Sequence, residues 1–193
     1  AAGDLIDPHT QEAGAVLQET VDTFVLGLYK GAHKTHTIGS DSSPIELSPK
    51  NAYDYIVDLN TILNIKKVPK TERFTIINSQ VLGLLSKDDR FTKQPVVLEN
   101  GIVEGQIING SQIVVSEEIH GTGGKYKILG LHKSAIGYGT QLTETEAQRL
   151  QNSFADGIRG LMVYGGDILR QESIAVLTAT VTSITPEKPG GGA

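Results

Sequence analysis

Residues 10–30 read TQEAGAVLQETVDTFVLGLYK, and this stretch decides the fold that the sequence predicts. Apolar residues recur in it at steps of three and four, which places them on one stripe of an α-helix. They are Ala13, Val16, Leu17, Val21, Phe24, Val25 and Leu28. At about 1.5 Å per residue the helix is roughly 30 Å long, about the width of a small domain. We therefore expect a long helix that supports the other layers, with Phe24 buried in its stripe.

Two glycines lie within this predicted helix. Gly14 and Gly27 lower its intrinsic helix propensity. A costly glycine in a helix is typical of a position where another backbone approaches closely. We interpret both as candidate packing positions, against another part of the chain or against a neighbouring molecule.

Composition limits the classes of protein that this chain can represent. It has 193 residues, with 38% hydrophobic and 20% charged residues, which is typical of a folded domain with a substantial core. Its net charge of −5 argues against a nucleic-acid-binding module. The absence of cysteine excludes disulfides, thiolate metal sites and cysteine nucleophiles. No apolar run approaches the roughly 20 residues of a membrane span, so no membrane association is expected.

Helical patterns come first in the chain and strand patterns follow, which indicates an α+β fold rather than alternating βαβ units. A second helix is predicted from Ser48-Pro49, a buried strand over Arg73–Ile77 and a short helix capped by Asn78 or Ser79. The later predictions are a hairpin at Asn109-Gly110, helix or loop over Thr143–Asn152, a strand pair around Gly165-Gly166 and a terminal strand over Ile174–Ile184.

Three patterns suggest chemistry. The loop GTGGK, residues 121–125, lacks the first glycine and the final Ser or Thr of a P-loop, so we interpret it as a β-turn. His33 and His36 lie in a polar connector with no obvious third ligand, which favours a solvent-exposed pair over a metal site. His132 and Ser134 alternate along the chain, which packing or a hydrogen bond explains, although a small hydrolase or ligand-binding domain using this pair stays open.

Charged residues at the ends of elements suggest contacts rather than catalysis. Asp88 and Arg90 lie at the exit of the third helix, where charges normally mark solvent. Arg159 and Arg170, with Asp167, are candidates for ion pairs between strands or between subunits. The candidate packing and interface residues are thus Gly14, Phe24, Gly27, Asp88, Arg90, Arg159 and Arg170. No residue set meets the requirements of a reaction, so we predict no catalytic, cofactor-binding or metal-binding residues and a structural or interaction protein.

Several stretches, taken in order, resemble the major capsid proteins of tailed bacteriophages. QEAGAVLQETVDTFVLGLYKGA resembles their spine helix. NAYDYIVDLNTILNIKKVPKTERFTIINSQVLGLLSKDDRFTK resembles the following helix, VP break, strand, short helix and DxRF exit. GIVEGQIINGSQIVVSEEI resembles their hairpin, and LHKSAIGYGTQL with FADGIRGLMVYGGDILRQESIAVLTATV resembles their closing strands. The resemblance extends from Thr10 to Val181.

The resemblance implies the Hong Kong 97-like (Johnson) fold, with a peripheral and an axial domain. The peripheral domain would comprise residues 1–39 and 143–171, with the spine helix and a β-ribbon. The axial domain would comprise residues 40–142 and 173–184, and 185–193 would form a flexible tail. Members of that family carry an N-terminal arm and an extended loop before the spine helix. This chain begins where that loop would end, so we expect a folded core that alone is a monomer or weak oligomer.

The resemblance also implies a function without catalysis or cofactors. The chain would be a shell subunit that assembles with copies of itself into pentamers and hexamers around a DNA genome, without binding the DNA specifically. Scaffolding, portal and decoration proteins would be its further partners. It would be made in the host cytoplasm and reside in the virion capsid. The related alternative is an encapsulin-like nanocompartment shell, which resembles the same fold and encloses protein cargo.

Overall fold

The computed structural model describes residues 6–92, 107–119, 121–149 and 156–181. The helices are α1 (Ile6–Gly27), α2 (Ala52–Ile65), α3 (Ser79–Leu85) and α4 (Asp89–Thr92). The strands are β1 (Thr37–Ile38), β2 (Ile45–Leu47), β3 (Arg73–Ile77), β4 (Ile107–Ile108), β5 (Ser111–Val115), β6 (Gly121–Thr122), β7 (Lys125–His132), β8 (Ile136–Arg149), β9 (Asp156–Ile168) and β10 (Ile174–Val181). The predicted α+β class is confirmed. No helix in these ranges has the length and apolar character needed to span a bilayer.

An eight-stranded mixed sheet forms the centre of the described structure. Its main path runs β1-β10-β7-β3-β5-β4, with β2 also pairing with β10 and β6 with β7. Strand β10 is parallel to β1 and β2 and antiparallel to β7, so the last strand of the fold lies inside the sheet. The predicted hairpin at Asn109-Gly110 joins β4 to β5, and both turn residues have positive φ, as a type I′ turn requires.

Both faces of the sheet are buried, because successive residues of a strand point to opposite sides. One face carries residues such as Ile128 and Leu177, which pack with α2 and α3 in the larger core cluster. The opposite face carries residues such as Leu129 and Val176 in a second cluster, which Leu26 of α1 joins. The sheet thus separates a core beneath α2 and α3 from a smaller core beneath the end of α1.

The strand predicted over Arg73–Ile77 is confirmed as β3, between β7 and β5. Its side chains carry polar groups into the core. Thr75 Oγ1 accepts a hydrogen bond from Asn60 Nδ2 at 3.0 Å and lies 2.7 Å from Ser111 Oγ. The predicted cap of the short third helix is also confirmed, because Asn78 Oδ1 accepts from the backbone N–H of Val81 at 3.0 Å.

The opening helix differs from its prediction in its ends and in its burial. It runs from Ile6 to Gly27, and a 3₁₀ turn over Leu28–Gly31 replaces its predicted last turn. Residues 14–20 are exposed, and within the described side chains the fully buried residue is Leu26, which lies off the predicted stripe. Among the described side chains of the helix, burial begins at Val21. Phe24 is only half-buried, so its prediction as a buried residue is wrong.

Strands β8 and β9 form a separate two-stranded sheet, called the ribbon below, whose base is the end at Ile136 and Ile168. Two further predictions are wrong in this ribbon. Residues 143–149, predicted as helix or loop, belong to β8, whose backbone pairs with β9 along its length. Gly165 and Gly166, predicted to form a turn, lie inside the continuous strand β9 opposite Gly139 and Tyr138. The turn prediction failed because glycine also occurs in strands where another element approaches the backbone closely.

Candidate functional site

The contact between α1 and the ribbon holds the long helix in place. The rings of Phe24 and Tyr164 meet edge to face, with centroids 5.2 Å apart. A Cβ on Gly166 would lie 2.8 Å from the carbonyl oxygen of Gly137 and within 3.4 Å of Leu28, so β9 needs glycine there. Further along, Gly31 would place a Cβ 3.1 Å from Ile168. These contacts follow one another from the last turns of α1 to Gly31, and they join this part of the chain to β9 as far as Ile168.

The two helix glycines singled out from the sequence play no part in this junction. A Cβ on Gly14 or Gly27 would meet no atom within 4 Å among the described residues. Close packing against this chain, one of the two interpretations, is therefore not found there. The other interpretation, packing against a neighbouring molecule, stays a prediction. The glycines with real close contacts, such as Gly137 and Gly166, occur in strand patterns, where glycine is the signal for close backbone approach.

Asp88 and Arg90 form a cluster at the exit of α3. Arg90 donates from Nη2 to Asp88 Oδ2 at 2.8 Å and from Nη1 to Asp54 Oδ1 at 2.5 Å, and its guanidinium lies 4.7 Å from the Tyr53 ring centroid. The side chain of Asp88 is only 8% exposed, so it does not mark solvent as predicted. Hydrogen bonds that the Arg90 side chain donates to Asp88 lower the pKa of Asp88, and the same bonds raise the pKa of Arg90. This cluster fixes α4 to the start of α2.

Arg73 is a buried cation that the sequence reading missed. Its guanidinium donates from Nη1 to Asn64 Oδ1 at 2.7 Å, from Nε to the carbonyl oxygen of Pro69 at 3.2 Å, and from Nη2 to that of Val68. Burial lowers the pKa of Arg73. These bonds tie the strand β3 to the segment that leaves α2. The cation gave no signal in the sequence because its acceptors are neutral oxygens.

Arg170 lies at an open cleft of about 320 Å³ between the end of α2 and the base of the ribbon. The lining residues are Lys66, Lys67, Val68, Pro69, Arg170, Gln171, Glu172 and Ser173. Lys66 Nζ lies 3.6 Å from Glu172 Oε1. Arg170 makes no ion pair within the described part of the chain, and Asp167 instead accepts from the N–H of Ile168 at 2.7 Å. The side chain of Arg159 lies outside the described residues, although its backbone pairs with Glu146.

His132 and Ser134 form a local cap. Nδ1 of His132 accepts from the backbone N–H of Ser134 at 3.1 Å and lies 2.8 Å from its hydroxyl oxygen. This arrangement begins the 3₁₀ turn over Lys133–Ala135. A local hydrogen bond therefore explains this pair, which is one of the interpretations that the sequence left open.

The other histidine pair is not solvent-exposed as predicted. His33 is exposed and accepts from the N–H of Thr35, whereas His36 is buried with Nδ1 3.2 Å from the carbonyl oxygen of Ile174. Their ring centroids are 5.4 Å apart. Within the described residues no three acidic or histidine side chains are grouped to hold a metal ion. The GTGGK loop is the predicted β-turn, with Gly123 and Gly124 at positive φ between β6 and β7.

Three solved structures share this fold, two from phages and one from an encapsulin complex. A chain from Mycobacterium phage Che8 aligns with a TM-score of 0.70 and 24% identity, covering 88% of this chain and 61% of the phage chain. The holo-SrpI encapsulin complex from Synechococcus elongatus PCC 7942 aligns with a TM-score of 0.60 and 14% identity over 92% of this chain and 67% of its own. The capsid structure of the Cyanophage P-SCSP1u aligns with a TM-score of 0.62 and 14% identity, covering 91% of this chain and 66% of the cyanophage chain.

These similarities establish the fold, and they confirm the predicted resemblance to phage capsid proteins at that level. The chain spans less than two thirds of the length of the Mycobacterium phage chain that it matches. No protein-family model matches the chain, and no curated protein is significantly similar to it.

Proposed function

We propose that this chain is a structural shell subunit of a bacteriophage capsid. The observation that carries the proposal is the shared fold, which aligns nearly the whole chain with a phage protein and with a cyanophage capsid structure. The long helix supports it as well, because residues 14–20 of α1, which include the apolar Val16 and Leu17, are exposed. Surfaces of this kind mark sites of association between proteins.

Assembly into pentamers and hexamers around DNA is the finer part of the proposal. Subunits of a closed shell associate through heterologous contacts, in which two different patches meet and the rotation closes a ring. An acidic chain would enclose DNA without binding it tightly, since tight binding to phosphates needs clusters of Lys and Arg. Scaffolding, portal and decoration proteins would be further partners, and the site of residence would be the virion capsid.

The division into a peripheral and an axial domain belongs to the same proposal. Residues 1–39 with 143–171 would form the peripheral domain, and residues 40–142 with 173–184 the axial domain. The register of β8 and β9 shifts between Leu142 and Glu144, which is where the proposed boundary crosses β8, whereas β9 lies wholly in the proposed peripheral domain. Such a bulge bends a strand and increases its twist. A bend there would let the ribbon leave the axial sheet at a defined angle.

An encapsulin-like shell is the second candidate, because an encapsulin complex shares the fold. The two candidates differ in their contents. Particles purified from a cell that makes the whole shell would contain nucleic acid if the protein is a capsid subunit, and protein cargo if it is a compartment shell. Absorbance at 260 and 280 nm with mass spectrometry of the contents separates the two.

Crosslinking of the concentrated chain tests the proposal of a shell subunit. We expect a ladder of species that ends at about five or six copies, because cyclic heterologous contacts close at a fixed number. Negative-stain electron microscopy of the largest species should show rings. Only monomers at every concentration, or a ladder that stops at a two-fold dimer, would contradict the proposal.

A further inference from the structure

Two exposed patches on this chain combine apolar side chains with charges of opposite sign. The basic patch consists of Lys66, Lys67 and Arg170, which line the cleft between α2 and the base of the ribbon, together with Ile65 and Leu169, which directly precede Lys66 and Arg170 in the chain. Its apolar members are the most exposed large hydrophobic residues of the described structure, with Ile65 at 72% and Leu169 at 70%. Exposed apolar side chains next to cations are typical of a surface that another protein covers.

The acidic patch lies on the middle part of α1. It consists of Val16, Leu17, Glu19 and Asp22, all of which are exposed, with Val16 at 56%. Val16, Glu19 and Asp22 follow one another at steps of three, so they form a row along one side of the helix. The segment Ile6–Gly27 contains no Lys or Arg at all. Its negative charge therefore has no compensating cation on the same helix.

Lys67 occupies a backbone position that favours glycine. Its φ is +59°, and it is the residue at which the end of α2 turns. The N–H of Lys67 bonds the carbonyl of Asn64 at 2.9 Å and that of Val68 bonds the carbonyl of Leu63 at 3.0 Å, which is the Schellman pattern. Glycine is the usual residue at that position, because a Cβ in the left-handed region costs about 1 kcal/mol. Lys66 already supplies a cation at this helix end, so folding does not explain a lysine at 67.

The cations of the basic patch are only partly neutralised. Lys66 faces Glu172 at 3.6 Å, whereas neither Lys67 nor Arg170 forms an ion pair within the described residues. The cleft between them is open to solvent and has room for the side chains of a helix. An acidic, apolar helix face has the chemistry that complements this patch.

We propose that the acidic patch of one copy docks on the basic patch of the next copy. This contact rests on the proposed function, since it names the surface through which a shell subunit would meet its neighbour. A chain cannot make the contact with itself. Val16 lies about 16 Å along the helix axis from Gly27, while Leu169 directly follows Ile168, which touches Gly31 beyond that end of the helix.

The acidic patch therefore lies about midway along α1, whereas the basic patch lies beyond the C-terminal end of that helix. Because the patches differ, the contact is heterologous and repeats from copy to copy, closing into a ring or extending as a lattice. Exposed charge pairs contribute modestly and are screened by salt, so the contact should be weak and should weaken as the salt concentration rises.

Site-specific crosslinking tests the contact directly, since the chain has no cysteine of its own. A Val16→Cys chain is mixed with a Leu169→Cys chain under mild oxidation. We expect a disulfide-linked pair that joins one chain of each kind. The control replaces Leu169→Cys with Lys87→Cys. Lys87 is exposed and directly precedes Asp88, whose partner Arg90 bonds Asp54 in the first turn of α2, the other end of that helix. Equal yields from the two mixtures would overturn the proposal.

Charge reversal then tests the electrostatic part. Lys67→Glu with Arg170→Glu should lower the crosslink yield on the order of tenfold, the effect of about 1.4 kcal/mol. Lys50→Glu with Lys87→Glu makes the same change in net charge away from the patch and should leave the yield unchanged. Adding Glu19→Lys with Asp22→Lys to the reversed basic patch should restore the yield. A yield that stays low in this swapped chain contradicts the proposed pairing.

Lys67→Gly separates association from folding. We expect it to weaken the crosslink while leaving the denaturant midpoint of the chain equal or higher, because glycine suits the positive φ. A lower midpoint would mean that Lys67 serves the fold rather than the contact. If the chain forms rings that the reversals do not affect, the docking proposal fails and the shell function stands. If the chain forms no species above the monomer, the shell function itself fails.

Discussion

At the scale of single residues, the buried polar side chains carry the greatest weight for stability. Arg73 is 1% exposed and heads the fully buried side chains by volume. Its hydrogen bonds all go to neutral oxygens of the segment that follows α2, and no carboxylate among the described residues pairs with it. A buried charge of this kind is tolerated only while each of its donors has an acceptor. Arg73 therefore acts as a clamp between β3 and α2.

Replacing Arg73 with methionine should destabilise the protein by about 2–4 kcal/mol. The change leaves the carbonyl groups of Val68 and Pro69 and the Asn64 side chain without their donor in a buried place. Chemical denaturation monitored by circular dichroism measures the loss. The exposed Arg170→Met is the matched control, with an expected change within about 0.5 kcal/mol. Equal midpoints for the two variants would show that the clamp does not stabilise the fold.

The Asp88 and Arg90 pair should make stability depend on pH in the acid range. Because the pKa of Asp88 is lowered in the folded state, its stabilising effect is complete above the unfolded pKa of about 3.9 and is lost as the pH falls towards the folded pKa. The free energy of unfolding of Asp88→Asn should therefore fall less steeply than that of the wild type below about pH 4. In an Arg90→Gln background the same substitution should change the acid slope less, because only the backbone N–H of residue 90 would still bond Asp88, and an undiminished difference would contradict the assignment.

At the scale of elements, the contact between α1 and the ribbon explains the glycines of β9. Gly165 and Gly166 are neighbours in sequence, yet they have different surroundings. A Cβ on Gly165 would meet nothing within 4 Å among the described residues, while one on Gly166 would meet the Gly137 carbonyl at 2.8 Å. Successive strand residues face opposite sides, so only one of the two glycines faces the helix.

This difference makes a paired prediction. Gly166→Ala should destabilise the protein by about 1–3 kcal/mol, because the methyl group would lie 2.8 Å from the Gly137 carbonyl oxygen of the paired strand and 3.4 Å from Leu28. Gly165→Ala should be neutral or slightly stabilising, since it restricts the unfolded chain at an open position. Thermal unfolding of the two variants measures the contrast. A larger loss for Gly165→Ala would contradict the register of the ribbon.

Phe24 tests how much of the long helix is anchored. Phe24→Ala should cost about 1–3 kcal/mol, below the 3–5 kcal/mol of a fully buried phenylalanine, because the ring is half-buried against Tyr164. The substitution Val16→Ala, within the exposed residues 14–20 of α1, should change the free energy of unfolding by less than about 0.5 kcal/mol. A cost for Val16→Ala near that for Phe24→Ala would show that residues 14–20 pack on their own chain.

At the scale of the whole molecule, the described structure leaves much of α1 without a partner. The exposed apolar residues occur in separate small groups, on α1, at the end of α2 and along the ribbon. About a third of each matched shell chain also has no counterpart in this sequence. Small dispersed patches give weak association, since binding must first offset the loss of translational and rotational freedom.

The isolated chain should therefore be a monomer or weak oligomer at micromolar concentration. Multi-angle light scattering coupled to size exclusion measures the mass, with 20.6 kDa expected for one chain. Raising the concentration should shift the mean mass upward, and raising the salt concentration should reverse that shift if the charged patches make the contact. A uniform shell-sized particle from this chain alone would contradict the prediction.

Local features of the sequence determined the elements whose formation depends on neighbours in the chain. The period of the apolar residues predicted α1, the Asn78 side chain the start of α3, and the Asn-Gly pair the hairpin of β4 and β5, because helix periodicity, capping and turn geometry act within a few residues. The order of such stretches was also enough to predict the capsid-like fold.

Only the tertiary structure decided which surfaces are covered. It buried Arg73 and His36, left residues 14–20 of α1 exposed, and turned the Gly165-Gly166 pair from a predicted turn into the inside of a strand. Each of these outcomes depends on residues far away in the chain, such as the meeting of Leu28 with Gly166. The same pattern of residues serves a core or an interface, because burial depends on what packs against a side chain and not on the side chain alone.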